Sequence, residues 1–165
     1  MLKGTAGCCP FESSGKNGVW EGVLKPASFK YLAPETFEEA VHLMAEHGSD
    51  ARPLAGGQSL VALMNPRLLQ PAVIIDLGRC SGIGGIDELP GGLTLSAMVR
   101  QSAAEHSAAV ARHCPLLAKA LPHVGETAHR NRGTVCGSLA HADPLAELPC
   151  VAVALDARFT LASSR

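Results

Sequence analysis

The stretch that most restricts the fold is "ARPLAGGQSLVALMN", residues 51–65. Two apolar runs flank a pair of adjacent glycines, a glutamine and a serine. A strand through "ARPLA", a loop at "GGQS" and a short helix through "LVALMN", stopped by Pro66, satisfy the pattern. Adjacent glycines leave two backbone amides unshielded by side chains. A loop that runs into a helix aims those amides, and the helix dipole, at one point. That arrangement seats a phosphate well. It equally suits a plain strand–turn–helix in which the glycines only supply φ > 0.

Two sharper patterns are near misses. A dinucleotide-binding Rossmann unit has G-x-G-x-x-G and an acidic residue about 20 positions later. Asp76 stands at a suitable distance, but the glycines are adjacent and no third one follows. Asp76 reads better as a strand-end cap or turn residue than as a ribose ligand. A hydrolase elbow has G-x-S-x-G, and "GQSLV" carries Val61 where the last glycine belongs.

The rest of the chain reads as mixed α and β. Residues 1–23 are rich in Gly, Ser and Cys without a period, which predicts a disordered extension. "KPASFKYLAP" is a short extended segment. In "ETFEEAVHLMAEHG", Thr36 and Glu39 form a capping box. Phe37, Ala40, Val41 and Met44 recur at helical spacing, and Gly48 fits the stop. "AVIIDL" is a buried strand, and "GIGGIDELPGGLTLSA" a hairpin turning at Pro90-Gly91-Gly92. Residues 99–123 have helical periodicity broken at Pro115 and Pro122. "AHRNRGTVCGSLAHADP" reads as a long polar loop. Asp143-Pro144 opens a short helix, and the chain closes on a strand through "ARFTLAS".

Charge and composition exclude several functions. A net charge of -1 leaves no electrostatic footprint for nucleic acid. No apolar run is long enough to span a bilayer. The N-terminus lacks the apolar core of a signal peptide, so the expected location is cytoplasmic. The 6 cysteines, Cys8, Cys9, Cys80, Cys114, Cys136 and Cys150, form no C-x-x-C, and the 7 histidines no H-E-x-x-H. Ordinary thiols are expected, with no metal site.

A second polar cluster is "RNRGTVCGSLAHADPLAELP". Gly133 and Gly137 expose backbone, Thr134 and Ser138 offer hydroxyls, and Arg130 and Arg132 bring positive charge. Glu147 follows on the short helix. Two phosphate-seating loops with groups for a sugar suit a dinucleotide. A solvated loop whose arginines pair with nearby carboxylates suits the composition as well.

Taken together, "LAGGQSL", "NPRLLQPAVIIDL" and "HRNRGTVCGSLAHADP" resemble the FAD-binding medium subunits of molybdenum hydroxylases, the carbon monoxide dehydrogenase-like and xanthine dehydrogenase-like enzymes. The likeness runs from about Leu24 to Phe159. It implies an α+β fold of the vanillyl-alcohol-oxidase (PCMH) type, with two lobes gripping FAD. Residues 24–80 would form the first lobe and 81–165 the second, which is expected to be incomplete in an N-terminal portion of such a subunit. The resemblance carries over Ala55, Gly56, Gly57, Gln58, Ser59 and Leu60 as contacts around the FAD pyrophosphate. It likewise carries over Thr134, Cys136, Gly137 and Ser138 beside the flavin, and Glu147 toward the sugar portion. Cys136 stands where the family usually has glycine, and His129 where an aliphatic residue usually precedes Arg-Asn. No side chain is expected to act as acid, base or nucleophile. The implied role is electron transfer from a molybdenum partner subunit, through an iron–sulfur partner subunit and the flavin, to NAD, oxygen or another acceptor. A non-catalytic remnant of the family and a Rossmann-like nucleotide-binding module are the alternatives.

Overall fold

Helix α1, Phe37–His47, begins as the sequence predicts. Thr36 caps it by accepting the Glu39 amide at 3.1 Å, and Glu39 reaches back to the Glu35 amide at 3.1 Å. Gly48 ends it at φ +50, a conformation that favours glycine. The computed structural model describes residues 25–164, so the extension expected over 1–23 lies outside them.

Three strands form a parallel sheet: β1, Lys30–Leu32; β2, Ala51–Leu54; and β3, Val73–Asp76. Their spatial order is β1-β3-β2. The β-branched run of β3 suits the centre, and Val73, Ile74 and Ile75 are all buried. Pro53 cannot donate to a ladder, which fits β2 at an edge. Ala51, Val73 and Ile75 share one face of the sheet and pack with Ala40 of α1 into a first core. Helix α2, Leu60–Met64, follows β2 across the double-glycine turn.

A second core is built beyond residue 80. Strands β4, Ile86–Leu89, and β5, Gly92–Leu95, form an antiparallel hairpin. Its turn is Pro90-Gly91 alone, because Leu89 pairs with Gly92, which therefore belongs to β5. Proline holds φ near −65°, so the turn needs the positive φ that Gly91 supplies at +81. Helices α3, Gln101–Glu105, α4, Ala108–His113, and α5, Pro115–Ala120, pack over this hairpin. Val99, Val110, Leu121, Val135 and Leu148 are among the buried residues of that core.

Three expectations are corrected. The segment read as a polar loop is two helices meeting at Gly133: α6, Thr127–Arg132, and α7, Val135–His141. Its apolar signal is weak because α6 buries only Arg130. The strand expected after α8, Glu147–Ala154, is absent. Phe159 is 60% exposed and Leu161 91%, and among the described residues this segment joins no ladder. Helix α8 itself starts at Glu147, with Ala146 as its cap, rather than at Asp143-Pro144. Asp143 accepts the Leu145 amide at 2.9 Å in a local turn. Among the described residues no helix is long and apolar enough to cross a membrane, and no group of three or more His, Cys, Asp or Glu could hold a metal ion.

Candidate functional site

The double-glycine turn and the α6–α7 corner both line a cleft of about 600 Å³. That volume falls within the range of roughly 300–1,000 Å³ usual for small-molecule and cofactor sites. The turn fixes one wall. Gly57 takes φ +76, and its carbonyl accepts the Val61 amide at 3.0 Å to start α2. The amides of Gln58, Ser59 and Leu60, one turn ahead, have no helical acceptor. The Ser59 side chain makes no capping bond that would cover them.

Gly56 has a different reason to be glycine. A Cβ there would lie 2.3 Å from the Arg132 carbonyl oxygen and 2.7 Å from the Gly133 Cα. At this point the turn touches the α6–α7 corner backbone to backbone. Gln101, buried at the start of α3, secures the corner. Its amide bonds to the Gly133 carbonyl at 2.9 Å, and Arg100 forms an antiparallel bridge with Thr134. Nothing in "VRQSAAEH" marks Gln101 in the sequence.

On the far wall, Thr134 is the N-cap of α7, and its hydroxyl accepts the Gly137 amide at 3.0 Å. That amide is therefore occupied within the protein, while the Thr134 hydroxyl keeps a proton to donate. A Cβ on Gly137 would strike the Thr134 Oγ1 at 2.4 Å and meet the Ala55 Cβ at 3.6 Å. The Thr134 contact explains this glycine without a ligand; the Ala55 contact is an ordinary one. We expect Thr134→Val to lower stability by about 1 kcal/mol, the usual worth of a lost N-cap, and Thr134→Ser to restore it. Urea denaturation of the two variants checks this; a wild-type midpoint for the valine form would show that the cap is dispensable.

Cys136 lies in the first turn of α7, with Sγ 3.8 Å from the Leu95 carbonyl and 3.7 Å from that of Ser96. Burial pushes its thiol up from its ordinary pKa, so it stays protonated at neutral pH. The arginines divide. Arg130 is buried and pairs with Glu105 at 2.7 Å, and the guanidinium holds that carboxyl below its usual range. Arg132 is exposed. The carboxylate-paired reading thus holds for Arg130.

Of the expected contacts, Ala55, Gly56, Gly57, Gln58, Ser59, Leu60, Thr134, Cys136, Gly137 and Ser138 line this one cleft. Glu147 does not; it is exposed in the first turn of α8. Val124, Gly125 and His129 are wall residues too, though no motif marks them as such. The cationic and titratable lining is Arg52, His129 and His141, with no carboxylate among the lining residues. Such a cleft suits an anionic ligand. Asp76 is engaged elsewhere: it accepts the Gly78 amide at 2.8 Å and the Tyr31 hydroxyl at 2.5 Å. With β3 between β1 and β2, the Rossmann alternative loses both its acidic ligand and its strand order.

Residues 27–165 match the family described as the FAD binding domain in molybdopterin dehydrogenase. The chain belongs to that family. Among curated relatives of this FAD-binding domain, subunit alpha of the 6-hydroxypseudooxynicotine dehydrogenase complex of Paenarthrobacter nicotinovorans is 40% identical over 140 residues, covering 85% of this chain and 47% of the relative. The carbon monoxide dehydrogenase medium chain of Hydrogenophaga pseudoflava is 38% identical, covering 82% and 47%. The chain thus spans about half the length of the curated relatives it matches. A solved carbon monoxide dehydrogenase from Hydrogenophaga pseudoflava superposes with a TM-score of 0.76 at 39% identity, over 78% of this chain and 45% of that one. Quinoline 2-oxidoreductase from Pseudomonas putida 86 gives 0.73 at 42% identity, over 76% and 44%. The fold is accordingly the α+β fold of this FAD-binding family.

Proposed function

We propose that this chain is the FAD-gripping part of a medium subunit in a molybdenum-containing hydroxylase or dehydrogenase. The observation that carries the proposal is the carboxylate-free cleft on which the double-glycine turn and the start of α7 converge. The residues present fit the cofactor. Gly57 supplies the φ of +76 that turns the chain into α2, and the amides of Gln58, Ser59 and Leu60 beyond it suit a pyrophosphate. His129 and His141 add ring nitrogens to the lining, while the Arg52 guanidinium is held by the Ser49 and Ala51 carbonyls. Thr134 and Ser138 suit polyol oxygens, and Leu60, Leu63, Leu69 and Leu77 supply an apolar surface for rings. Glu147 has no part in this assignment, because it is exposed outside the cleft.

The two hydrophobic cores correspond in this reading to the two lobes, residues 24–80 and 81–165. When bound, FAD supplies the redox chemistry between iron–sulfur clusters on one partner subunit, fed by a molybdenum centre on another, and an acceptor such as NAD. The protein's own task is to bind, orient and shield. No cleft side chain is required to move a proton. Release of the cofactor from the purified protein, identified by its absorption spectrum and chromatography, tests the reading. FAD at near-equimolar content, or taken up on titration, is the expected result. A chain with this fold that takes up no FAD would be a non-catalytic remnant, and the proposal would be lost.

A further inference from the structure

Arg130 is nine-tenths buried, yet it lies outside the cleft. Its guanidinium divides its donors between two sets of partners. Nε and Nη2 bond to the Glu105 carboxylate of α3 at 2.7 and 3.3 Å. Nη1 bonds to the Val124 carbonyl at 3.3 Å and the Gly125 carbonyl at 2.9 Å. Nη2 also reaches the Thr127 hydroxyl at 3.4 Å. Val124 and Gly125 both line the cleft, and Gly125 takes φ +52, which leaves this turn few residues able to hold its shape. Nothing else recorded for the turn's two carbonyls competes with these bonds.

From this geometry we infer that Arg130 is a positioning residue. It clamps the Val124–Gly125 turn onto α3 and so fixes the part of the cleft wall that these two residues form. The inference about the ligand rests on the FAD reading above; the inference about the wall does not. The planar fork is what the task requires. A guanidinium can bond to a carboxylate along one edge and to carbonyls along another, whereas the compact ammonium of lysine cannot reach both at once. Glu105 is the anchor and the turn is the load. The two roles can therefore be separated by substitution.

Three variants and two readouts test this in the whole chain. Cleavage after Glu126 by a Glu-specific protease, with no cofactor present, reports opening of the turn; FAD titration reports the cleft. Arg130→Lys keeps a charge for Glu105 and gives up the carbonyls. It should be cleaved faster after Glu126 and bind FAD about tenfold more weakly, the factor carried by one lost hydrogen bond of ordinary worth. Glu105→Gln keeps the carbonyl bonds and loses the ion pair. It should melt earlier, yet change less than Arg130→Lys in cleavage after Glu126 and in FAD affinity, since the amide oxygen still accepts from the guanidinium. Wild-type behaviour of Arg130→Lys in either readout overturns the inference. Equal FAD losses in both variants also overturn it, since the pair would then merely support the fold. If Arg130→Lys does not fold, Gly125→Ala strains the same turn at φ +52 without touching the ion pair. Weakened FAD binding there supports the wall assignment, and unchanged binding overturns it. Faster cleavage in Arg130→Lys of a protein whose wild type takes up no FAD would leave the clamp standing and remove the cofactor reading alone.

Discussion

Gly56→Val should be the most damaging single substitution near the cleft. The first added carbon would lie 2.3 Å from the Arg132 carbonyl oxygen and 2.7 Å from the Gly133 Cα. Both obstacles are backbone, and neither can swing aside as a side chain does. Overpacking against movable side chains typically costs about 1–3 kcal/mol; here the cost should reach the top of that range or exceed it. Gly56→Ala should be nearly as harmful, because its one methyl already occupies the forbidden position. FAD uptake should fall with stability, since the turn and the α6–α7 corner can no longer meet. Thermal and urea denaturation of both variants measure this. An alanine variant with a wild-type midpoint would mean that the turn and corner do not touch as described.

Gly57→Val should instead separate binding from folding. The φ of +76 strains a β-branched residue by about 1–3 kcal/mol. Its Cβ would press on the flexible ends of Leu54 and Val61, each at 3.3 Å. We expect a folded, weakened protein that retains no FAD. Gly57→Asn is the control. Asparagine tolerates positive φ, so most of the lost stability should return. Its Cβ still presses on Leu54 and Val61, so the turn that presents the Gln58, Ser59 and Leu60 amides stays displaced and FAD should not return with it. Full FAD content in the asparagine variant would move the pyrophosphate elsewhere in the cleft.

What could be read in the sequence was whatever local chemistry alone decides. Thr36 and Glu39 announced α1, because a capping box is complete within four residues. "VIID" announced a central strand, because only a doubly buried strand suits so many adjacent β-branched residues. The double-glycine turn and its flanking elements stand where the pattern put them. Helices α6 and α7 escaped because their reasons are tertiary. Arg130 is polar by type and buried by partnership with Glu105, so it gives no apolar periodicity. Gly137 was legible as a residue that must lack a side chain. The cause was not legible, for it lies in the Thr134 hydroxyl that caps α7. Gln101, Val124 and Gly125 carry no local signal at all; they enter the cleft wall only through the packing of α3 against α6. The closing strand through "ARFTLAS" had the right alternation, but alternation supplies no ladder partner.

The strand order β1-β3-β2 bears on how the chain is made. The ribosome produces the two edge strands first and the central one last. While residues 30–54 emerge, β1 and β2 have nothing to pair with, since neither borders the other. Only α1, whose cap is local, can sample structure early, and at 11 residues it stays marginal until it packs on the sheet. The sheet closes when Val73–Asp76 arrives and bonds to both waiting edges at once. By then the double-glycine turn has already been synthesised between them. It sits between strands that pair only with one made later, so the nascent protein acquires its double-glycine turn and its first core in a single late event.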